Sequence, residues 1–212
     1  MSARVEELSI ASDPGAWRSI GLVVGDDGTI PLIGTSLRVI GAPAGSDGDE
    51  AGGIVGWALS GVDPALDGTL VDGLATTVVG PATPVHAAHP IGASGLDHVV
   101  VTTDDLERTS AAVAEATGCE LKRVREVGTM RQGFHRIGRG GLIVELVERP
   151  EHPAGPASFW GVVLNVDDLD AACARLGDDR VSAPRDAVQP GRRIATVRAE
   201  VGLGLPVALM TP

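Results

Sequence analysis

The sequence predicts an α+β protein assembled from βαβββ modules, two in the C-terminal part and a shortened third at the N-terminus. Three observations carry this. His98 to Glu107 (HVVVTTDDLE) aligns without a gap with Gly161 to Asp170 (GVVLNVDDLD), at a constant offset of 63. Each copy runs from a short apolar, β-branched stretch into an Asp that can cap a helix whose first turn is acidic. Further strand-like segments follow each helix.

In chain order, Glu6 to Pro14 reads as a strand, a cap and a helix start, with Pro14 at the first helical position. Asp26-Asp27-Gly28 makes a turn, and Ile33 to Ile40 resembles Ile137-Gly138 followed by Leu142 to Val147, so residues 4 to 43 form the shortened unit. A Gly/Asp-rich loop covers Ala42 to Gly53. Ile54 to Val62 is strand-like with no helix of normal length after it, and Pro81 to Gly92 reads as a linker. The chain divides near residue 90 into an N-terminal unit with linker (1–90) and a two-module domain (91–212, modules 95–150 and 158–212). In the first full module, the helix Asp105 to Thr117 stops at Gly118, and strands follow at Glu120 to Val127, Arg131 to Ile137 and Leu142 to Val147. In the second, the helix Asp168 to Leu176 precedes strands at Val181 to Pro184, Arg192 to Arg198 and Leu205 to Met210. The tetrapeptide Gln189-Pro190-Gly191-Arg192 suits a type II turn.

Composition narrows the function classes. Hydrophobic types make up 43% and charged types 21% of the 212 residues, enough apolar material for a core. Aromatics are only 2% and the formal charge is -11, which argues against base stacking and against phosphate backbones or anionic membranes as partners. No apolar run approaches the ~18 residues of a spanning helix, and Met1 to Ile10 lacks a secretion signal, so a cytoplasmic protein is expected. Cys119 and Cys173 read as reduced structural thiols. The glycine pairs precede strands rather than helices, which excludes phosphate-loop and dinucleotide readings.

The segment Gly95-Leu96-Asp97-His98-Val99-Val100-Val101, the Asp-capped helix, and Leu142-Ile143-Val144-Glu145-Leu146-Val147 resemble the vicinal-oxygen-chelate superfamily of glyoxalases, bleomycin-resistance proteins and extradiol dioxygenases. The resemblance implies that two βαβββ modules pair so that curved mixed sheets enclose a cavity. It also implies a divalent metal (Zn, Fe, Mn or Ni) held by His and Glu from the first and last strands of each module. Carried over, His98 and Glu145 are the ligands of the first module, while the matching positions of the second hold Gly161 and Ala208, so half of the ligand set is missing. A third donor is needed; His135 is the best candidate, although Phe134 or His135 is the inward residue of its strand, and Glu7 is an alternative from the N-terminal unit. Strand alternation puts His98 with Val100 and Thr102, and Glu145 with Ile143 and Val147.

Plainer readings stand beside these. His98 is read either as a ligand or as a buried neutral imidazole bonded to Glu145. His86 and His89 read as exposed linker residues, and His152 as a loop residue. Arg136, Arg192 and Arg193, with Arg131 and Arg198, are read either as a clamp for a carboxylate or phosphate or as an ordinary charged rim. Two functions follow. One is an enzyme of lyase, isomerase or dioxygenase type, with a metal as Lewis acid or with Glu145 as a general base in an apolar cavity. The other is a metal-free small-molecule binding or sequestration protein. A homodimer is expected, with the N-terminal unit as an assembly surface.

Overall fold

The computed structural model describes residues 2–41, 52–83, 85, 87–149, 151 and 153–212. His86, His152 and positions 42–51 of the Gly/Asp-rich loop lie outside the described residues. Among the described residues no helix is long and apolar enough to cross a membrane.

The duplicated C-terminal modules build one eight-stranded sheet. The first supplies β7 (Ala93–Thr103), α2 (Leu106–Thr117), β8 (Arg123–Val127), β9 (Met130–Arg136) and β10 (Ile143–Glu148). The second supplies β11 (Ser158–Val166), α3 (Leu169–Leu176), β12 (Arg185–Asp186), β13 (Arg193–Thr196) and β14 (Val207–Met210). The strand order β12-β13-β14-β11-β7-β10-β9-β8 places the first strands of the two modules side by side and antiparallel, each with its last strand parallel on the other flank. The predicted caps form as the residue types require: Asp105 accepts from the Arg108 backbone N–H, Asp168 from that of Ala171, and Gly118 ends α2 at φ 66°. Gly191, at φ 81°, completes the Pro-Gly turn, in which Arg192 N–H donates to Gln189 C=O.

One predicted strand moves. In Val181 to Pro184 only Val181 makes a bridge, to Val197, and the ladder begins after Pro184, which has no N–H to give it.

The N-terminal region holds more than the one shortened unit expected. Its elements are β1 (Arg4–Ala11), α1 (Pro14–Ser19), β2 (Thr29–Ile30), β3 (Ser36–Val39), β4 (Gly53–Ser60), β5 (Thr69–Val71) and β6 (Leu74–Val78). They form a six-stranded sheet in the order β2-β3-β1-β4-β6-β5. β1 is parallel to β3, β4 is parallel to β6, and β1 and β4 meet antiparallel at the centre. This repeats the paired-module plan with one strand fewer on each side, and the second helix is reduced to a 3-10 turn at Pro64–Leu66.

The backs of the two sheets share one hydrophobic core. Leu8, Ile10, Leu37, Trp57, Leu59 and Leu74 from one sheet and Val99, Val101, Val144, Leu146, Leu164 and Leu209 from the other are almost wholly buried in it. Each such side chain contributes about 1.5–3 kcal/mol on burial. Trp57 and Phe159 meet edge to face across the sheets at 5.6 Å. The linker ends in a fixed conformation: His89 is buried, against the expectation of an exposed residue. Its Nδ1 accepts from the Val23 N–H at 3.0 Å, so Nε2 carries the proton toward Pro31 C=O at 2.8 Å. With the backs covered, the concave face of the eight-stranded sheet is left to form a cup.

Candidate active site

The cup face is set by register. Parallel pairing of β10 with β7 sets Ile143 beside His98 and Glu145 beside Val100, and antiparallel pairing of β9 with β10 sets Phe134 opposite Glu145. His98, Glu145, Gln132 and Phe134 therefore share one face, as alternation requires. His98 Nε2 lies 3.2 Å from Glu145 Oε2, and the Gln132 side-chain amide donates to Glu145 Oε1 at 2.8 Å.

A second acid joins them through a β-bulge. On β11, Val163 opposes His98 and Leu164 opposes Leu96, so Asp97 is an extra residue in β7 with no partner of its own. The bulge breaks the alternation and brings Asp97 beside its neighbour: Asp97 Oδ2 is 2.7 Å from His98 Nδ1. Arg192 closes the chain with Nη1 at 2.8 Å from Asp97 Oδ1. The same guanidinium donates to Asn165 Oδ1 at 2.8 Å and to Thr211 C=O at 2.7 Å.

Burial pushes the Glu145 carboxyl above the usual range, against the opposing pull of His98, Arg125 and Arg123. For Asp97, burial acts in the same sense but is outweighed by hydrogen bonds from His98 and Arg192, and the carboxyl lies below its ordinary value. Asp97 is therefore the anion that accepts the Nδ1 proton, which leaves His98 Nε2 turned toward Glu145 Oε2. The pair faces a cavity of about 390 Å³ whose walls include Phe134, Ile143, Ile194 and Met210.

The other predicted site residues do not join His98 and Glu145 as expected. His135 pairs with Val144 rather than with Glu145 and so faces the back of the sheet. Its ring is held between Ser110 Oγ and Cys119 C=O, each at 2.9 Å, and burial pushes its pKa down. It is not a third donor to His98 and Glu145. Glu7 belongs to the six-stranded sheet, where it pairs with Arg38 at 2.9 Å. Arg193 turns toward α3 and pairs with Asp170 at 2.7 Å, and Arg192 is spent on Asp97, Asn165 and Thr211. Of the proposed clamp, Arg136 alone lines the cavity.

The donor set does not fit a tightly held divalent ion. Sites of that kind use at least three protein donors, and among the described residues no three His, Cys, Asp or Glu side chains are placed to hold one. Position 161 has no room for a ligand, because a Cβ there would fall 2.5 Å from the Pro206 carbonyl oxygen.

Asp97, Gln132, Arg123, Arg125 and Arg185 were missed from sequence. The visible signal for Asp97 was an acid beside a histidine within an otherwise apolar strand.

Comparison with known proteins agrees with this architecture. A mutant of 4-hydroxymandelate synthase from Streptomyces coelicolor superposes with a TM-score of 0.66 over 99% of this chain and 92% of its own, at 16% identity. Methylmalonyl-CoA epimerase from Mycobacterium tuberculosis matches 57% of this chain and 89% of its own, with a TM-score of 0.48 and 19% identity. A Streptomyces coelicolor methylmalonyl-CoA epimerase variant in complex with 2-nitronate-propionyl-CoA matches 56% of this chain and 94% of its own, with a TM-score of 0.47 and 21% identity. The likeness to the synthase, at 16% identity, is one of fold. No curated protein matches the chain. The sequence pattern of one family matches residues 67–198, more than half of the chain. The chain belongs to the Glyoxalase/Bleomycin resistance protein/Dioxygenase superfamily.

Proposed function

We propose that the cup of the eight-stranded sheet is the active site of an enzyme that moves a proton on a small organic substrate. In this reading Glu145 takes and returns the proton, His98 is its partner, and residues 91–212 form the functional unit, with residues 1–90 as the layer behind it. The observation that carries the reading is a buried carboxyl group facing an open cavity at 3.2 Å from an imidazole nitrogen.

The chemistry follows from where the protons are. Asp97 fixes the Nδ1–H tautomer of His98, so Nε2, 3.2 Å from Glu145 Oε2, is the nitrogen placed to take up or release a proton beside the carboxyl group. When that proton sits on Nε2, Glu145 is a carboxylate in apolar surroundings, a stronger base than one in water. It abstracts a proton from a carbon next to a carbonyl and afterwards returns it, to the same carbon or a neighbouring atom. Gln132 keeps the carboxyl plane fixed through Oε1, which leaves Oε2 as the reacting atom. Between the two transfers the electron pair rests on the carbonyl oxygen as an enolate, so isomerase chemistry needs a proton moved and no bond lost, and the donors present among the described residues do not fit a metal.

The test is deuterium exchange. The protein is incubated in D2O with a panel of 2-oxo acids, malonic half-thioesters and hydroxyaldehydes, and C–H signals are followed by proton NMR. The expected result is exchange with at least one class, reduced about 10²-fold or more in Glu145→Gln. Exchange undiminished in that variant overturns the role of Glu145. Binding without exchange by the unaltered protein would make the cup a sequestration site instead.

A further inference from the structure

The cup contains cations that the proton-transfer chemistry does not use. Strands β8 and β12 are the opposite edges of the eight-stranded sheet, yet both line the same cavity, so the sheet is rolled until its edges face one another across the mouth. Lys122, Arg123 and Arg125 stand on one lip, and Arg185 on the other. Arg123 and Arg125 reach the cup face because they oppose Phe134 and Gln132, and the Arg123 guanidinium lies 4.9 Å from the Phe134 ring centre.

Several arginines elsewhere in the molecule are already committed to carboxylates, whereas among the described residues the cations that line this cavity, Arg136 included, are not. Arg38, Arg108, Arg131, Arg192 and Arg193 are each tied to one or two carboxylates. Among the described residues, none of the four at the mouth takes part in an ion pair. In a chain with 28 acidic residues against 17 basic ones, unpaired positive charge gathered at one cavity is a strong local field, focused by the low-dielectric walls.

Resting on the reading that Glu145 marks the reacting end, we propose that the cup takes a substrate bearing a multiply charged oxyanion, of phosphate or phosphonate type, at the end remote from the reacting carbon. The anion bridges Arg125 on β8 and Arg185 on β12, and relieves the like-charge repulsion between the lips. Guanidinium groups approaching from two sides match the several oxygens of such a group better than those of a single carboxylate.

The test uses inorganic pyrophosphate as the probe, titrated calorimetrically into the full chain at about 20 mM and about 200 mM salt. One site per chain is expected, weakening with salt. Arg125→Gln and Arg185→Gln should each weaken it about tenfold, whereas Arg139→Gln, an exposed arginine that does not line this cavity, should not. Acetate should bind at least tenfold more weakly than pyrophosphate. Absence of pyrophosphate binding, equal loss in Arg139→Gln, or indifference to both mouth variants would each overturn the proposal. The two readings fail separately: Glu145→Gln should abolish deuterium exchange without weakening pyrophosphate binding. Exchange in a protein that binds no pyrophosphate would sink this inference alone, and pyrophosphate binding without exchange would sink only the proton-transfer reading.

Discussion

Asp97 and His98 are consecutive in β7, and their side chains nevertheless meet, Asp97 Oδ2 to His98 Nδ1 at 2.7 Å. In a regular strand they would point to opposite faces; the bulge that leaves Asp97 without a partner on β11 makes the contact geometrically available. The arrangement fixes which imidazole nitrogen is presented to Glu145, and it makes Asp97 a positioning residue for that pair.

Asp97→Asn is therefore expected to cost activity through the wrong tautomer. An amide that donates to Nδ1 forces the His98 proton onto Nε2, and the rate should fall about 10²-fold or more. Imidazole 15N NMR should show the altered tautomer, which a merely structural role would not. The variant also leaves Arg192 facing a neutral group and should lose about 1–3 kcal/mol of stability at neutral pH. Because the folded pKa of Asp97 is lowered, its stabilisation is present above the ordinary carboxylate value and disappears as pH falls through the folded value. Denaturation of both proteins across pH should show the gap closing in acid.

Glu145 has the opposite sign. Its folded pKa is raised by burial, so the stability linked to its protonation is complete below the ordinary glutamate value and is lost as pH rises through the folded value. Glu145→Gln should accordingly match the parent in acid and exceed it in melting temperature at neutral and higher pH. A variant less stable than the parent at pH 8 would contradict the raised pKa. The exchange rate of the parent protein should rise with pH through the same raised value.

Gly161 is closed to side chains by backbone. Gly161→Ala places a Cβ 2.5 Å from the Pro206 carbonyl oxygen and should destabilise the protein by about 1–3 kcal/mol, measured by urea denaturation. Gly161→His should be at least as damaging and should not create a metal site, as judged by zinc titration.

Dialysis against a chelator should leave melting temperature and deuterium exchange unchanged, with less than stoichiometric metal found by elemental analysis before treatment. The reason is the donor set: among the described residues no three His, Cys, Asp or Glu side chains are placed to hold a metal, and Asp97 is engaged by His98 Nδ1 and Arg192. Stoichiometric metal lost together with exchange would overturn that prediction.

His89→Ala should cost about 1–3 kcal/mol, because it leaves the Val23 N–H and the Pro31 carbonyl without their partner near the end of the linker. Hydrogen exchange at Val23 reads this directly.

The sequence by itself determined the modules, both capped helices and the grouping of residues within each strand, because caps, turns and a period of two are local properties of the chain. The shared offset of His98 with Gly161 and of Glu145 with Ala208 likewise showed that only the first half-site carries polar groups. Alternation alone does not say which set faces the cup, so the choice between Phe134 and His135 waited on the register of β9 against β10, where a slip of one residue exchanges the faces. The bulge at Asp97 changes that parity inside one strand and depends on β11, dozens of residues away. The gathering of Arg125 and Arg185 at one mouth depends on the roll of the whole sheet, which brings its two edges together. The paired plan of the N-terminal sheet was hidden because strands of two to five residues and a three-residue turn carry too little periodicity to be recognised before their partners are in place.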